Sequence, residues 1–526
     1  MREKLLVSGV GFLLIYLAWA WGGLQQDWLL PTVWVSLGLF IILVTASFPG
    51  STLWSDLFFW CGFFFLLYLA LQWWNAGRTL YFDVGYHEWR YSPPPHLVWP
   101  WAFSRPEAAE MLAWFFPAWV FGLVMRSPIV GKPALLRLLR ALVYGAGLLS
   151  LVGVVQFVTH AKARFWIRPT IEFFASFGYT NHAAAYFVLM GALAAGLLFR
   201  EIFRSNAFNV GGVLRAAMGP TGSQAKSVAA RSAPPTLRKH PLRTVALSAS
   251  LLLCLVGANL SLSRAGVILA WALAAFIAVF GLIRGWKRLH AAARLNLAVA
   301  TVAILFVFYF AVAGFGEKEI LREFEVRKPI HHRLFPALDK INLSFAGRAE
   351  LDEAAWRMWE DHKLLGVGGW GYRYMLAFYL PKEKWNTVVL NSGKANVHCD
   401  LLQFLAEFGI VGFGLMLAAG LALIGSLLRP FRQYQRESSA PVVTGVSPVN
   451  AARDGGYYRR KEAGMSRRDP LWVMGVTGLS LVLVFSLIDL PFRCPAILCT
   501  WIVILAALPK ITTQRTIQIL QITNNT

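Results

Sequence analysis

Long apolar runs separated by short polar connections dominate this chain. Runs of about 18–20 residues recur along it, and each is long enough to cross a hydrocarbon core of roughly 30 Å as a helix. Polar residues do not return through them at the period of 3.6 that marks a helix lying on a soluble core. The runs predict spans at 5–22, 29–47, 54–74, 107–125, 135–159, 182–199, 242–260, 264–283, 295–315, 399–427, 471–489 and 491–509. The expected fold is an all-α polytopic integral membrane protein of about 12 transmembrane helices, within a range of about 10–13. One large loop domain is expected between the ninth and tenth spans.

Composition agrees with the pattern. Only 15% of the 526 residues are charged, against about 25% in a soluble domain. The net charge of +23 reads as a topology signal. With Arg2 and Lys4 placed in the cytoplasm, residues 126–140, 200–243, 284–294, 428–470 and the C-terminal tail fall on the same side. Together with the N-terminus they hold about 29 of the 50 basic residues. That bias is the positive-inside rule, which does not count long loops such as 316–397. The charge is dispersed between spans, so nucleic acid is not the expected partner. The first twenty residues resemble a secretory signal, but their apolar run is longer than the usual h-region and another span follows at once. They are expected to stay as the first helix.

The chain divides accordingly. Residues 1–204 hold the first helices, with an outer loop at 75–106 dense in Trp, Tyr and Pro. That loop reads either as an interfacial aromatic belt or as a platform for sugar rings and lipid head groups. Residues 205–240 are a basic low-complexity insert, and 241–315 return to spans. Residues 316–397 form the large outer loop, 398–428 a single span, and 429–470 a second basic loop, of which 433–468 has the character of the first insert. Residues 471–526 close with two spans and a tail. Within the large loop, 347–363 has helical spacing, with Leu351, Ala354, Ala355, Met358 and Trp359 on one stripe. The five cysteines show no metal-ligand spacing. A Cys399–Cys494 disulfide is conceivable, and free thiols are the simpler expectation.

Ionisable groups in or near a bilayer are costly and mark function. Arg264 in LSLSRAG sits at the predicted outer mouth of a span, Arg348 in AGRAE lies in the large outer loop just before the amphipathic segment, and His398 in NVHCDLLQFLAEFGIVG sits at the predicted outer mouth of another span. Each also has a plain reading, as a snorkelling arginine, a loop arginine and a helix-start contact. Gln403 and Glu407 share a helix face four residues apart. Glu407, two turns into an apolar span, must be paired, hydrogen-bonded or neutral, and is expected to brace the histidine helix. Gly409 and Gly412 permit close helix packing. Asn181, His182 and Arg168 are candidate substrate contacts, as is Gln403. Arg164 adds cationic surface. GVGGWG at 366–371 fits a dinucleotide-binding spacing, but no strand precedes it, and it reads as a flexible turn.

Four blocks in order resemble the O-antigen ligase/polymerase superfamily of bacterial envelope glycosyltransferases. They are FGYTNHAAAYFVLM (177–190), LSLSRAG (260–266), GRAELDEAAWRMWEDHKLLGVGGWG (347–371) and NVHCDLLQFLAEFGIVG (396–412). Cys399 stands where the family motif often has Asn. The resemblance implies a GT-C-like transferase of the bacterial inner membrane, with both termini cytoplasmic and a periplasmic active site, needing neither metal nor cofactor. It would take a glycan from an undecaprenyl-diphosphate carrier to an acceptor hydroxyl. In ligases the acceptor is a lipid A-core sugar, in polymerases a second carrier-linked unit, and in related members a protein Ser or Thr. His398 would then be the general base, with Arg348 and Arg264 stabilising the diphosphate. A solute transporter is the alternative of another class.

Overall fold

The computed structural model describes residues 1–47, 54–85, 87–169, 173–217, 241–286, 306, 336–380, 396–439 and 469–512. In chain order its helices are α1 (Arg2–Trp19), α2 (Gln26–Ser47), α3 (Leu57–Trp74), α4 (Arg105–Arg126), α5 (Lys132–Val158), α6 (Thr180–Ala217), α7 (Pro241–Leu260) and α8 (Arg264–Trp286). Then come α9 (Pro336–Asp361), α10 (Gly371–Tyr379), α11 (Asp400–Ser439), α12 (Pro470–Phe485) and α13 (Pro495–Thr512). Among the described residues nine are long and apolar enough to cross a membrane: α2 to α8, α11 and α13.

The expected count of about twelve differs from nine for identifiable reasons. The run 295–315 lies outside the described residues, Phe306 apart. The helix α1 carries Arg2, Glu3 and Lys4 at its start, and α12 has only 16 residues. That second point corrects the expected span 471–489: the helix stops at Phe485, and Ser486–Cys494 form a turn. Asp56 and Asp469 start α3 and α12 as N-caps, each accepting from the backbone N–H two residues on at 3.0 Å. Such a cap replaces one of the helix-start donors' missing partners.

Polar ties fix which helix ends lie together. At one end Arg126 pairs with Asp56 at 2.5 Å, Arg200 with Asp469 at 3.3 Å, and Glu3 accepts from Gly131 N–H at 2.8 Å. At the opposite end, here termed the upper end, the Cys494 thiol lies 3.3 Å from the Gly22 carbonyl and Asp400 N–H donates to Ser486 O at 2.9 Å. The helices therefore alternate in direction, with apolar side chains of α1, α4, α5, α6, α7, α12 and α13 forming one continuous core.

The upper end carries the extramembrane structure. Two short antiparallel hairpins depart from a purely helical fold, β1 (Leu80–Asp83) with β2 (Glu88–Tyr91) and β3 (Ala163–Arg164) with β4 (Arg168–Pro169). The α9 stripe faces inward: Ala354, Ala355 and Met358 are buried with Trp101, Phe103 and Tyr372 in a second, smaller core. This cap sits against α11, the helix that follows His398. Cys61, Cys254, Cys399, Cys494 and Cys499 are free thiols.

Candidate active site

The turn after α12 places one carboxylate where several elements meet. Asp489 is 2% exposed and its N–H still bonds back to Phe485 O at 2.9 Å. Its side chain accepts from the Leu490 N–H at 2.8 Å, from the Tyr179 hydroxyl at 3.0 Å and from the Asn181 amide. The Arg348 guanidinium stands 3.9 Å away and donates its other Nη to Ile488 O at 2.7 Å. His398 Nδ1 lies 4.0 Å from Asp489 Oδ1. A buried carboxylate needs such partners, because desolvation otherwise outweighs what it gains.

The electrostatics follow from this packing. Burial pushes the His398 imidazole below its ordinary value of 6.5; Asp489 opposes that shift and Arg348 adds to it. The ring is therefore neutral at pH 7. At 4.0 Å from Asp489 Oδ1, His398 Nδ1 is beyond hydrogen-bond distance, and it is buried without a hydrogen-bond partner among the described residues. The side chains of His398 and Arg348 are 32% and 28% exposed, so both remain open to a substrate. Burial, with Asp489 adding to it, raises the Tyr179 phenol and keeps it a donor.

His398 is held in an unusual backbone state, at φ 63°, a conformation non-glycine residues rarely adopt without support. The support comes from α11. Gln403 accepts the Val397 N–H at 3.1 Å and donates to Asn396 Oδ1 at 3.3 Å and to Glu407 Oε1 at 3.0 Å. Glu407, fully buried, pairs with Arg493 at 2.5 Å, and that guanidinium lies 4.7 Å from both the Trp370 and Phe404 rings. Asp400 ties the same segment to the Asp489 turn by accepting the Phe492 N–H at 2.7 Å.

The GVGGWG segment is a wedge, which corrects its reading as a flexible turn. The helix α11 breaks at Gly409 (φ 59°, ψ −171°), a region essentially restricted to glycine. The freed backbone groups are taken up by the incoming loop: Val367 N–H bonds Ala406 O at 3.0 Å, Gly368 N–H bonds Glu407 O at 2.8 Å, and Ile410 N–H bonds Lys363 O at 2.8 Å. A Cβ on Gly409 would lie 2.4 Å from Leu364 O, and one on Gly366 2.4 Å from Glu407 O. Gly409 thus serves a break and a close backbone approach. Helix packing of the expected kind is found at Gly412, against the Tyr68 ring. Tyr68 seals the junction, donating to Leu365 O at 2.6 Å and lying 3.0 Å from Phe408 O.

The sequence candidates are distributed as follows. His398, Arg348 and Asn181 meet at Asp489. Arg264 opens α8 at the same rim: a Cβ on Gly266, two residues on, would meet Ala184 of α6 at 2.2 Å. His182 is 5% exposed, with Nε2 at 3.0 Å from Leu490 O. Gln403 is 1% exposed, with its amide spent on Val397, Asn396 and Glu407. These two hold the fold around the site and are not presented to a substrate. Arg168 lies on β4, paired through the backbone with Arg164, and Arg164 reaches Ser176 O at 3.4 Å. Sequence reasoning missed Asp489, Tyr179 and Arg493. The same rule that singled out Glu407, a charge inside an apolar run, applies to Asp489 in SLIDLPFR.

The order of these elements along the chain can be set against known families. Residues 249–417 match the O-Antigen ligase family model. This stretch carries an O-antigen ligase domain. The domain begins within α7 and ends in α11 past Gly412, so it contains Arg264, Arg348, His398, Gln403 and Glu407. Asn181 and Asp489, which complete the cluster, come from outside the matched residues. No curated protein matches the chain. The O-antigen ligase domain and the nine long apolar helices together describe a multi-pass membrane protein with a glycosyl-transferring domain of the O-antigen ligase kind.

Proposed function

We propose that this protein is a glycan ligase working at the periplasmic face of the bacterial inner membrane, both termini being cytoplasmic. It transfers a glycan from an undecaprenyl-diphosphate carrier to an acceptor hydroxyl, that of a lipid A-core sugar. The observation that supports this most is the meeting of a neutral, half-open imidazole and a guanidinium on one buried carboxylate at one end of a membrane bundle. His398 Nε2 takes the proton of the acceptor hydroxyl. The acceptor oxygen forms its bond to the anomeric carbon as the bond to the carrier phosphate breaks, with inversion. The diphosphate leaves with its electron pair. Its added charge falls to fixed guanidinium donors, Arg348 and, at the same rim, Arg264, which suit phosphate geometry and stay charged near lipid. Asp489 orients the imidazole and stabilises it once protonated.

The leaving group is already a delocalised anion, and the arginines are assigned the work that a divalent cation does in other glycosyl transfers. Reconstitution in liposomes with an undecaprenyl-diphosphate glycan and a lipid A-core acceptor tests the reading. The expected products are acceptor-linked glycan and free undecaprenyl diphosphate, in equal amounts with and without EDTA. Activity lost to EDTA and restored by Mg²⁺ would contradict the metal-free assignment. Longer glycan left on the carrier would mark a polymerase instead.

A further inference from the structure

Two apolar tips at the upper end are held rigidly and face outward. The first is Leu97-Val98-Trp99, which are 74%, 84% and 49% exposed. It is not a loose loop. Asn75, fully buried at the end of α3, donates to His96 O at 2.8 Å and to Trp99 O and Pro100 O at 3.2 Å, and accepts the His96 N–H at 2.9 Å. His96 also stacks on Trp74, centroids 4.8 Å apart, and Trp73 and Trp74 are themselves about half exposed (46% and 50%). The tip is therefore fixed directly above the rim of a span.

The second tip is the β3–β4 turn. Trp166 and Ile167 are 52% and 84% exposed, and Phe165 and Trp166 both take positive φ, 51° and 59°. Phe165 stacks on Trp19 at the end of α1, with centroids 6.3 Å apart and planes at 5°. The Arg164 guanidinium lies 5.1 Å from the Trp21 ring. Strained backbone persists only where its surroundings impose it. Here it aims two apolar side chains away from the protein, beside Trp19 and Trp21 at the end of α1.

We infer that both tips are seated in the interfacial zone of the bilayer leaflet at the upper end, as lipid-binding anchors that set the depth of the site. Exposed apolar area is unfavourable in water in proportion to its extent, and aromatic side chains at span ends prefer the headgroup boundary. Each tip packs against the aromatic end of a helix, Trp74 of α3 in one case and Trp19 of α1 in the other, which is why lipid and not another protein is the assigned partner. Arg164 of the second tip reaches Ser176 O at 3.4 Å, three residues before Tyr179, whose hydroxyl donates to Asp489.

The test is site-directed spin labelling of the full-length chain in phosphatidylethanolamine–phosphatidylglycerol nanodiscs. Single cysteines are introduced as Val98→Cys and Ile167→Cys, with Glu353→Cys on the exposed side of α9 as the aqueous reference. The unmutated chain supplies the background from the native thiols. At 98 and 167 the nitroxides are expected to collide several-fold more often with oxygen than with a soluble nickel chelate, and the order is expected to reverse at 353. Accessibility to the chelate at 98 and 167 equal to that at 353 would overturn the inference. So would labels shielded from both collision partners, which would place the tips against protein.

Discussion

Replacing His398 by alanine is expected to lower the rate of glycan transfer by about 10²–10⁴, the usual worth of a positioned general base, while the protein still inserts and elutes as wild type. Arg348→Ala is expected to cost about 10²–10³, the range for loss of one transition-state charge contact. The pH profile separates a base from a merely structural histidine. His398 lies below 6.5 because burial disfavours its charged form, with Asp489 raising it and Arg348 lowering it. A base works deprotonated, so transfer should fall as pH drops through the lowered pKa of the imidazole. Asp489→Asn removes the raising influence and should move the acid limb of kcat/KM to lower pH. Arg348→Gln removes a lowering influence and should move it to higher pH. Residual activities of both variants with an unshifted limb would rule out His398 as the titrating group.

The second large effect is expected at a distance from the reacting atoms. Glu407 and Arg493 are 0% and 3% exposed and paired. Removing one member strands the other charge in the bundle, which typically costs about 3–5 kcal/mol. Glu407→Ala should therefore lower the midpoint of SDS-induced unfolding markedly. Replacing both, as Glu407→Met with Arg493→Met, leaves no stranded charge and should recover most of that stability. Transfer should stay low in the double variant, because Gln403 loses the partner that aims its amide at Val397 and Asn396 beside His398. Recovery of both stability and turnover would show that the pair only holds the fold.

Much of the architecture is legible in the sequence because the bilayer imposes a single length scale on apolar helices. Runs such as 54–74 and 264–283 need no tertiary information to be recognised. The boundaries are less legible where a polar residue can belong to a span or to a turn. Asp489 sits in an apolar run that reads as helix to residue 489, yet α12 ends at Phe485. The carboxylate that gathers Tyr179, Asn181, Arg348 and His398 was hidden by that extension. Gly409 shows a related limit. A glycine in an apolar helix suggests close packing, and only the loop arriving from Gly366 reveals a broken helix whose backbone is satisfied by another segment. His398 was legible as a polar residue at a span mouth, and Arg348 as an arginine of the outer loop beside an amphipathic segment. Their convergence depends on contacts to the Asp489 turn, about 90 and 140 residues away along the chain, which no local pattern encodes.

The account rests on one place in the molecule doing the chemistry. Cryo-electron microscopy of the full chain with undecaprenyl diphosphate tests this most directly. The diphosphate is predicted within hydrogen-bond reach of the Arg348 guanidinium, with His398 Nε2 facing the adjoining open space and Nδ1 still toward Asp489. Diphosphate density at the end of the bundle that holds the Asp56–Arg126 pair would contradict the account, and so would density beyond contact of both Arg348 and Arg264.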